Sequence, residues 1–326
     1  MIDRIGVLFS RADDLELVSR AEQLGYESVW AAEGQGRSGF GKLERWATAT
    51  DDIGLATGIV NVYSRSPAAM AQSIATLDAH SGGRAILGLG VAHPGVVEDF
   101  HGMSFERPLA RMAEYITLVR RYLKGEATAF EGEFFSPTRT SFWDAFEPER
   151  AEIPIYNAAL GAGNVRLTGE LADGWLPNLF PTARMEEGRA WLRTGADRAG
   201  RDVDEIDVAM YLLVAVDDDP SAARQRVAKH VATYLRDVPG FYDRVAARAG
   251  FEAAVERAKA ADTTAAAAKT LPREFLEVVG VIGTAEEVRT EIASARDAGV
   301  NLPIVRAPIG ADRSEQAALL EACAPV

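Results

Sequence analysis

Short apolar runs alternate with amphipathic segments along all 326 residues, and no other feature constrains the fold as strongly. Residues 5–9, 28–30, 53–60, 85–89, 153–156, 174–176, 206–216 and 302–306 read as strands. Helical spacing fills the gaps. Asp13 and Glu16 form a capping box ahead of Leu17, Val18, Ala21 and Leu24. Ser66 and Pro67 open a helix with Met70, Ile74 and Leu77 on its buried face. Leu109, Met112, Ile116, Val119 and Leu123 mark a long one. Further helices are predicted over 163–172, 183–199, 221–236 and 284–298, the last behind a second capping box of Thr284 and Glu287, with a terminal helix after residue 306. Two stretches leave the rhythm. Residues 125–152, interrupted by Pro137 and Pro148, predict an excursion with a hairpin; the Ala-rich 237–272 predicts a helical one.

Strands alternating with helices pair in parallel through right-handed crossovers. Eight such units predict a closed (β/α)8 TIM barrel rather than an open sheet, and no Gly-x-Gly-x-x-Gly comes after the first strand. No linker interrupts the pattern, so residues 1–326 read as a single domain. In such a barrel the site lies at the C-terminal ends of the strands.

Composition narrows the function. Asp and Glu total 48 against 35 Lys and Arg, a net charge of −13, which repels phosphate backbones and excludes a nucleic-acid partner. Lysine is scarce (residues 42, 124, 229, 259 and 269), a balance that fits high salt as well as a GC-rich genome. No apolar run approaches the ~18 residues of a membrane span, and the start Met1-Ile2-Asp3-Arg4-Ile5 lacks a secretory leader, so a cytoplasmic enzyme acting on a small molecule is expected. One cysteine, Cys323, excludes a disulfide framework, and the scattered His80, His93, His101 and His230 predict no metal site.

The barrel rule directs attention to the residues just past each strand. Glu33, after the second, is a carboxylate suited to acid/base chemistry or to a salt bridge with a nearby arginine. After the third come Gly58, Ile59 and Asn61; the small residue lets a flat ligand approach the backbone, or merely kinks the strand. After the fourth come Gly90, Val91, Ala92 and His93, the histidine being either a proton carrier or structural. After the fifth, Ala159-Leu160-Gly161-Ala162-Gly163 runs into a helix whose first N–H groups could hold a phosphate, or forms a plain turn. No nucleophile elbow or Walker loop occurs. Glycine-lined strand ends without a nucleophile suit an organic cofactor that brings its own reactivity.

The stretch from Thr57 through Gly58-Ile59-Val60-Asn61 to Ala68, with Ile74-Ala75-Thr76-Leu77-Asp78, Ser81 to Gly90, Glu170-Leu171-Ala172-Asp173-Gly174, Gly200 to Ala209, Gly283 to Val288 and Ala307-Pro308-Ile309-Gly310, resembles the bacterial luciferase-like superfamily of flavin- and deazaflavin-dependent barrels. Within it the chain is most similar to the methylenetetrahydromethanopterin reductases that use coenzyme F420, an 8-hydroxy-5-deazaflavin. The resemblance implies a non-proline cis peptide at Gly58–Ile59, forming a bulge behind the coenzyme's central ring. It further implies that Asn61, Gly90, Val91 and Ala92 contact the ring or ribityl chain, that Ala159, Leu160, Gly161, Ala162 and Gly163 hold the phosphate, that hydride passes between ring C5 and a substrate carbon, and that the protein is a homo-oligomer. Three departures bear on the substrate. Glu33-Gly34 stands where relatives often have Asp-His, Leu8 where the methylene reductases have a carboxylate, and His93 where a sugar-phosphate dehydrogenase branch places a proton-donating carboxylate. Glu33 and His93 are therefore the acid/base candidates. Two rival readings share the fold: an FMN-dependent monooxygenase, and a flavin-binding relative without catalysis.

Overall fold

A computed structural model describes residues 4–9, 14–34, 36–142, 146–238 and 240–325. It contains ten parallel strands: β1 Gly6–Phe9, β2 Ser28–Ala31, β3 Gly54–Thr57, β4 Val60–Asn61, β5 Ala85–Gly90, β6 Ile155–Asn157, β7 Gly174–Trp175, β8 Asp207–Val216, β9 Gly280–Gly283 and β10 Leu302–Arg306. Eight of them close a ring in the order β10-β1-β2-β3-β5-β6-β7-β8, sealed by the β10–β8 pairing, in which Leu302 to Arg306 lie beside Ala209 to Leu213. This is the (β/α)8 barrel that the alternation predicts.

Two strands differ from expectation. The third apolar run is not one strand: it stops at Thr57, turns through a cis Gly58–Ile59 peptide, and resumes as β4, which pairs with β5 through Val60↔Leu89 and Asn61↔Gly90. The periodicity does not predict β9, which pairs with the C-terminal half of β8, from Leu213↔Gly280 to Val216↔Gly283, beyond the ring. Val281 and Ile282 between two glycines make too short a run for a pattern to show.

Helix starts reflect local chemistry. Ser66 accepts from the Ala69 N–H at 3.2 Å, and Thr284 with Glu287 closes the expected capping box. Asp13 lies outside the described residues; the first helix, Leu15–Gln23, is capped by Asp14, which accepts from the N–H groups of Glu16 and Leu17. In the 125–152 excursion the turn is hairpin-like, with Phe130 N–H to Pro137 O and Gly132 N–H to Phe135 O both 3.0 Å, but no strand forms among the described residues. The 237–272 excursion is helical, as Tyr242–Ala246, Ala247–Phe251, Glu252–Ala260 and Thr264–Thr270. Among the described residues no helix is long and apolar enough to cross a membrane.

The barrel's interior is solid. Leu8, Trp30, Ala56, Tyr156, Leu176, Ala209, Tyr211, Leu302 and Ile304 form one buried cluster. Trp30 meets Tyr156 and Tyr211 edge-on, at centroid separations of 5.6 and 6.2 Å. Beneath it, Arg4 forks between Glu27 and Asp207 at 2.7 Å each, and the Tyr156 hydroxyl donates to Asp207 at 2.7 Å. Any ligand space must therefore lie above this plug, at the C-terminal rim.

Close helix packing sets one wall of that rim. Helices Ala162–Leu171 and Met185–Ala199 approach through glycine: a Cβ on Gly195 would sit 1.9 Å from the Arg166 carbonyl oxygen, and one on Gly169 would sit 2.2 Å from that of Leu192. Gly195→Ala must push the helices apart, and we expect it to cost roughly 1–3 kcal/mol and several degrees of Tm. Gly34→Ala, where an added Cβ meets nothing within 4 Å, serves as the silent control. Equal melting curves for both variants would contradict this packing.

Candidate active site

One cavity of about 1420 Å³ opens at the C-terminal rim. It is lined by Glu33, Gly58, Ile59, Asn61, Gly90, Val91, Ala92, His93, Ala159, Leu160, Gly161 and Gly163. Strand ends far apart in sequence thus converge on one hollow. Of the residues singled out from sequence, Ala162 alone is not on its lining; it forms the first position of the helix beneath.

The glycines serve different purposes. A Cβ on Gly58 would lie 2.5 Å from the Tyr211 hydroxyl and 2.9 Å from Leu8 Cδ1, so it would enter the barrel plug rather than the cavity. A Cβ on Gly90 would lie 2.8 Å from Ile59 Cδ1, and one on Gly88 only 2.0 Å from the Thr57 carbonyl oxygen. These three are glycine because the barrel wall leaves no room; for Gly58 this corrects the expectation that the missing side chain makes space directly for a ligand. The consequence is still a shelf of bare backbone, capped by Ile59, on the floor of the cavity. Gly161 is the opposite case: it is exposed, and an added Cβ would meet nothing within 4 Å.

Asn61 is buried and its side chain supports the loop, accepting from the Tyr63 N–H at 2.9 Å and lying 3.3 Å from His101 Nε2. Ala92 adopts φ 55°, unusual for a residue other than glycine, and reverses the chain after β5. His93 comes next, half-buried at the cavity wall, with its carbonyl accepting from the Val96 and Val97 N–H groups at 3.0 Å. The loop after β6 is stapled from below. Asn157 Nδ2 donates to Asn164 Oδ1 at 3.0 Å and to Thr168 Oγ1 at 2.9 Å, and Asn164 Nδ2 donates to the Ala158 carbonyl at 3.2 Å. No side chain caps the helix that starts at Ala162, so its first N–H groups face outward with the positive end of the helix dipole.

Of the two alternatives for Glu33, the ion pair is the one present. Arg65 grips both oxygens, at 2.6 and 2.9 Å, and the Gly39 N–H donates at 2.8 Å. Burial alone would raise the carboxyl; Arg65 and the Gly39 N–H outweigh it and hold it below the usual carboxylate range. So engaged, the carboxylate fixes the loop after β2 against Arg65 and the helix that begins at Gly39.

Several lining residues escaped sequence reasoning. Lys42 is buried and donates to the Ala32 carbonyl at 3.0 Å. Arg306, at the end of β10, donates to Asn178 Oδ1 at 3.4 Å and to the Tyr234 hydroxyl at 3.3 Å, while Asn178 Nδ2 donates to the Tyr242 hydroxyl at 2.9 Å. Applying the strand-end rule to the last strand as to the earlier ones finds Arg306. Tyr242, Arg244 and Arg248 lie on the second excursion, whose course no periodicity fixes. Among the described residues, lining cations thus outnumber lining carboxylates: Arg37, Lys42, Arg244, Arg248 and Arg306 against Glu33. Among the described residues no three His, Cys, Asp or Glu side chains gather as a metal site.

The luciferase-like monooxygenase family model matches residues 6–302. The chain belongs to the luciferase-like monooxygenase family. It is 31% identical over 331 residues to a Mycobacterium tuberculosis protein whose provisional name is coenzyme F420-dependent oxidoreductase Rv3520c, covering 94% of this chain and 93% of that one. It is 31% identical over 312 residues to the 5,10-methylenetetrahydromethanopterin reductase of Methanolobus tindarius, covering 92% and 91%. Among solved structures, the coenzyme F420-dependent tetrahydromethanopterin reductase of Methanopyrus kandleri superposes with a TM-score of 0.85 at 29% identity, over 99% of this chain and 98% of that one. Luciferase-like chains therefore include this one along nearly its whole length.

Removing the Glu33 charge should leave Arg65 without its anion. We expect Glu33→Gln to lose about 1–3 kcal/mol at neutral pH. Because the folded carboxyl is depressed, this contribution is complete above the ordinary carboxylate range and fades as pH falls through the lower folded value. Melting curves against pH should thus separate wild type from variant at neutrality and converge in acid. Coincident curves at every pH, with turnover lost, would assign Glu33 to the chemistry rather than to the ion pair.

Proposed function

We propose that the protein is a coenzyme F420-dependent oxidoreductase that moves a hydride between the deazaflavin and a small organic substrate. The observation that carries this reading is the convergence of residues 58–61, 90–93 and 158–163 on one large cavity. The kinship to proteins named for coenzyme F420 supports the same reading.

The residues fit such a group. A volume of about 1420 Å³ exceeds what most small ligands need, and leaves space for a tricyclic ring, its ribityl chain and a second reactant. The Ile59 shelf offers an apolar face against which a planar ring can rest. The uncapped helix N-terminus and the open Gly161 offer N–H donors for a phosphate. The cationic lining complements the negative charges of the coenzyme.

When bound, a 5-deazaflavin supplies hydride transfer at C5. The chain's part is positional and acid–base. The backbone at 58–61 orients one face, and the aromatic and aliphatic lining excludes water from the other. His93 holds or delivers, at its imidazole, the proton that accompanies the hydride when the substrate carries an oxygen or nitrogen at the reacting carbon. Leu8 lines the same cavity. Where the methylene reductases carry a carboxylate, this chain presents an apolar side chain, which favours a substrate other than methylenetetrahydromethanopterin.

Titration by fluorescence distinguishes the cofactors. F420 should bind saturably at micromolar concentration, and FMN far more weakly. Tight FMN binding with none of F420 would replace this reading by a flavin monooxygenase. A second test isolates the proton. His93→Ala should retain F420 affinity while slowing turnover by about 10²–10⁴-fold; turnover unchanged by the substitution would remove His93 from the chemistry.

A further inference from the structure

The second excursion presents two arginines to the cavity. Against a net charge of −13, Arg244 and Arg248 both line the cavity from an exposed position four residues apart. The sole acidic residue between Gly240 and Phe251, Asp243, pairs with Lys259 at 3.3 Å and does not line the cavity. The Arg244 guanidinium lies over the Phe241 ring at 5.8 Å, and its Nε donates to the Gly240 carbonyl. Phe241 in turn meets Phe105 edge-on, with centroids 6.5 Å apart.

That last contact locates the arginines. Phe105 belongs to the segment after β5, and Phe241 to the segment after β8. In ring order β6 and β7 lie between them, and the loop after β6 lines the same cavity as Phe105 and Phe241. Arg244 and Arg248, both exposed, thus line the same cavity as the N–H groups suited to a phosphate. A fork of five N–H donors suits carboxylate and phosphate oxygens.

We propose that Arg244 and Arg248 form an oxyanion clamp for the outer end of whatever fills the cavity. The proposal rests on the deazaflavin reading and deepens it. The oxyanions could be the carboxylates of the coenzyme's tail or an acidic group on the substrate, and the test separates the two.

The test compares wild type, Arg244→Gln/Arg248→Gln and Arg244→Lys/Arg248→Lys, each first shown to have the same melting temperature. Fluorescence titration uses F420 and its core alone, 8-hydroxy-5-deazariboflavin, which has neither phosphate nor carboxylates. A clamp on the coenzyme predicts that the Gln pair weakens F420 by about tenfold, leaves the core within about twofold, and flattens the salt dependence of F420 binding; the Lys pair should recover much of the loss. A clamp on the substrate predicts unchanged F420 affinity, with succinate or inorganic phosphate raising the melting temperature of the F420-loaded wild type but not of the Gln pair. Equal weakening of F420 and of its core would make the arginines structural and overturn the clamp, as would no change in any arm. If wild type binds neither deazaflavin, the functional reading fails separately, and succinate and phosphate binding still decides the clamp.

Discussion

The barrel is plugged, and the rest of the structure depends on that. Trp30, Tyr156 and Tyr211 fill the interior edge to face, leaving no room for side chains where β3 and β5 end. Position 58 must be glycine because Tyr211 and Leu8 occupy the space behind it, and position 88 because the Thr57 carbonyl does. The strand breaks at Gly58 and Ile59, Ile59 lines the cavity, and β4 resumes pairing with β5 at Val60. A backbone shelf over a rigid aromatic floor is the result. A planar molecule laid on that shelf meets a surface that cannot yield, since tightly packed interiors have few alternative arrangements.

Charge divides the molecule in two. The chain is acidic overall, while among the described residues the cavity collects arginine and lysine around one carboxylate, already claimed by Arg65. An anion approaching this protein is repelled by most of its surface and drawn to one opening. The pair formed by Glu33 and Arg65 belongs to this design: it fixes the loop after β2 without adding a free negative charge inside the hollow.

How much of this was legible in the sequence depends on what each residue answers to. The eight-unit alternation, the Ser66 and Thr284 caps and the helical second excursion arise from local periodicity and hydrogen bonding, so they could be read directly, whereas the break of the third strand at Gly58 could not. The convergence of residues near 58, 90 and 160 came from the barrel rule, and their roles from family resemblance. The purpose of Gly58 and Gly90 was hidden, because it depends on Tyr211 and Ile59, which only the closed barrel brings against them. The short β9 was masked by its flanking glycines. Arg244 and Tyr242 were out of reach for a related reason: they sit on a long connection whose path is set by packing against Phe105 and Asn178, not by its own pattern.

The central claim is spatial: the shelf at Gly58–Ile59 seats a deazaflavin ring, and the loop at 159–163 receives its phosphate. A crystal structure of the protein soaked with F420 measures this directly. The account predicts density for the ring against Ile59 and for the phosphate at the N–H groups following Gly161. Density for the ring at any other surface, or an empty cavity in crystals of a protein that binds F420 in solution, would contradict it.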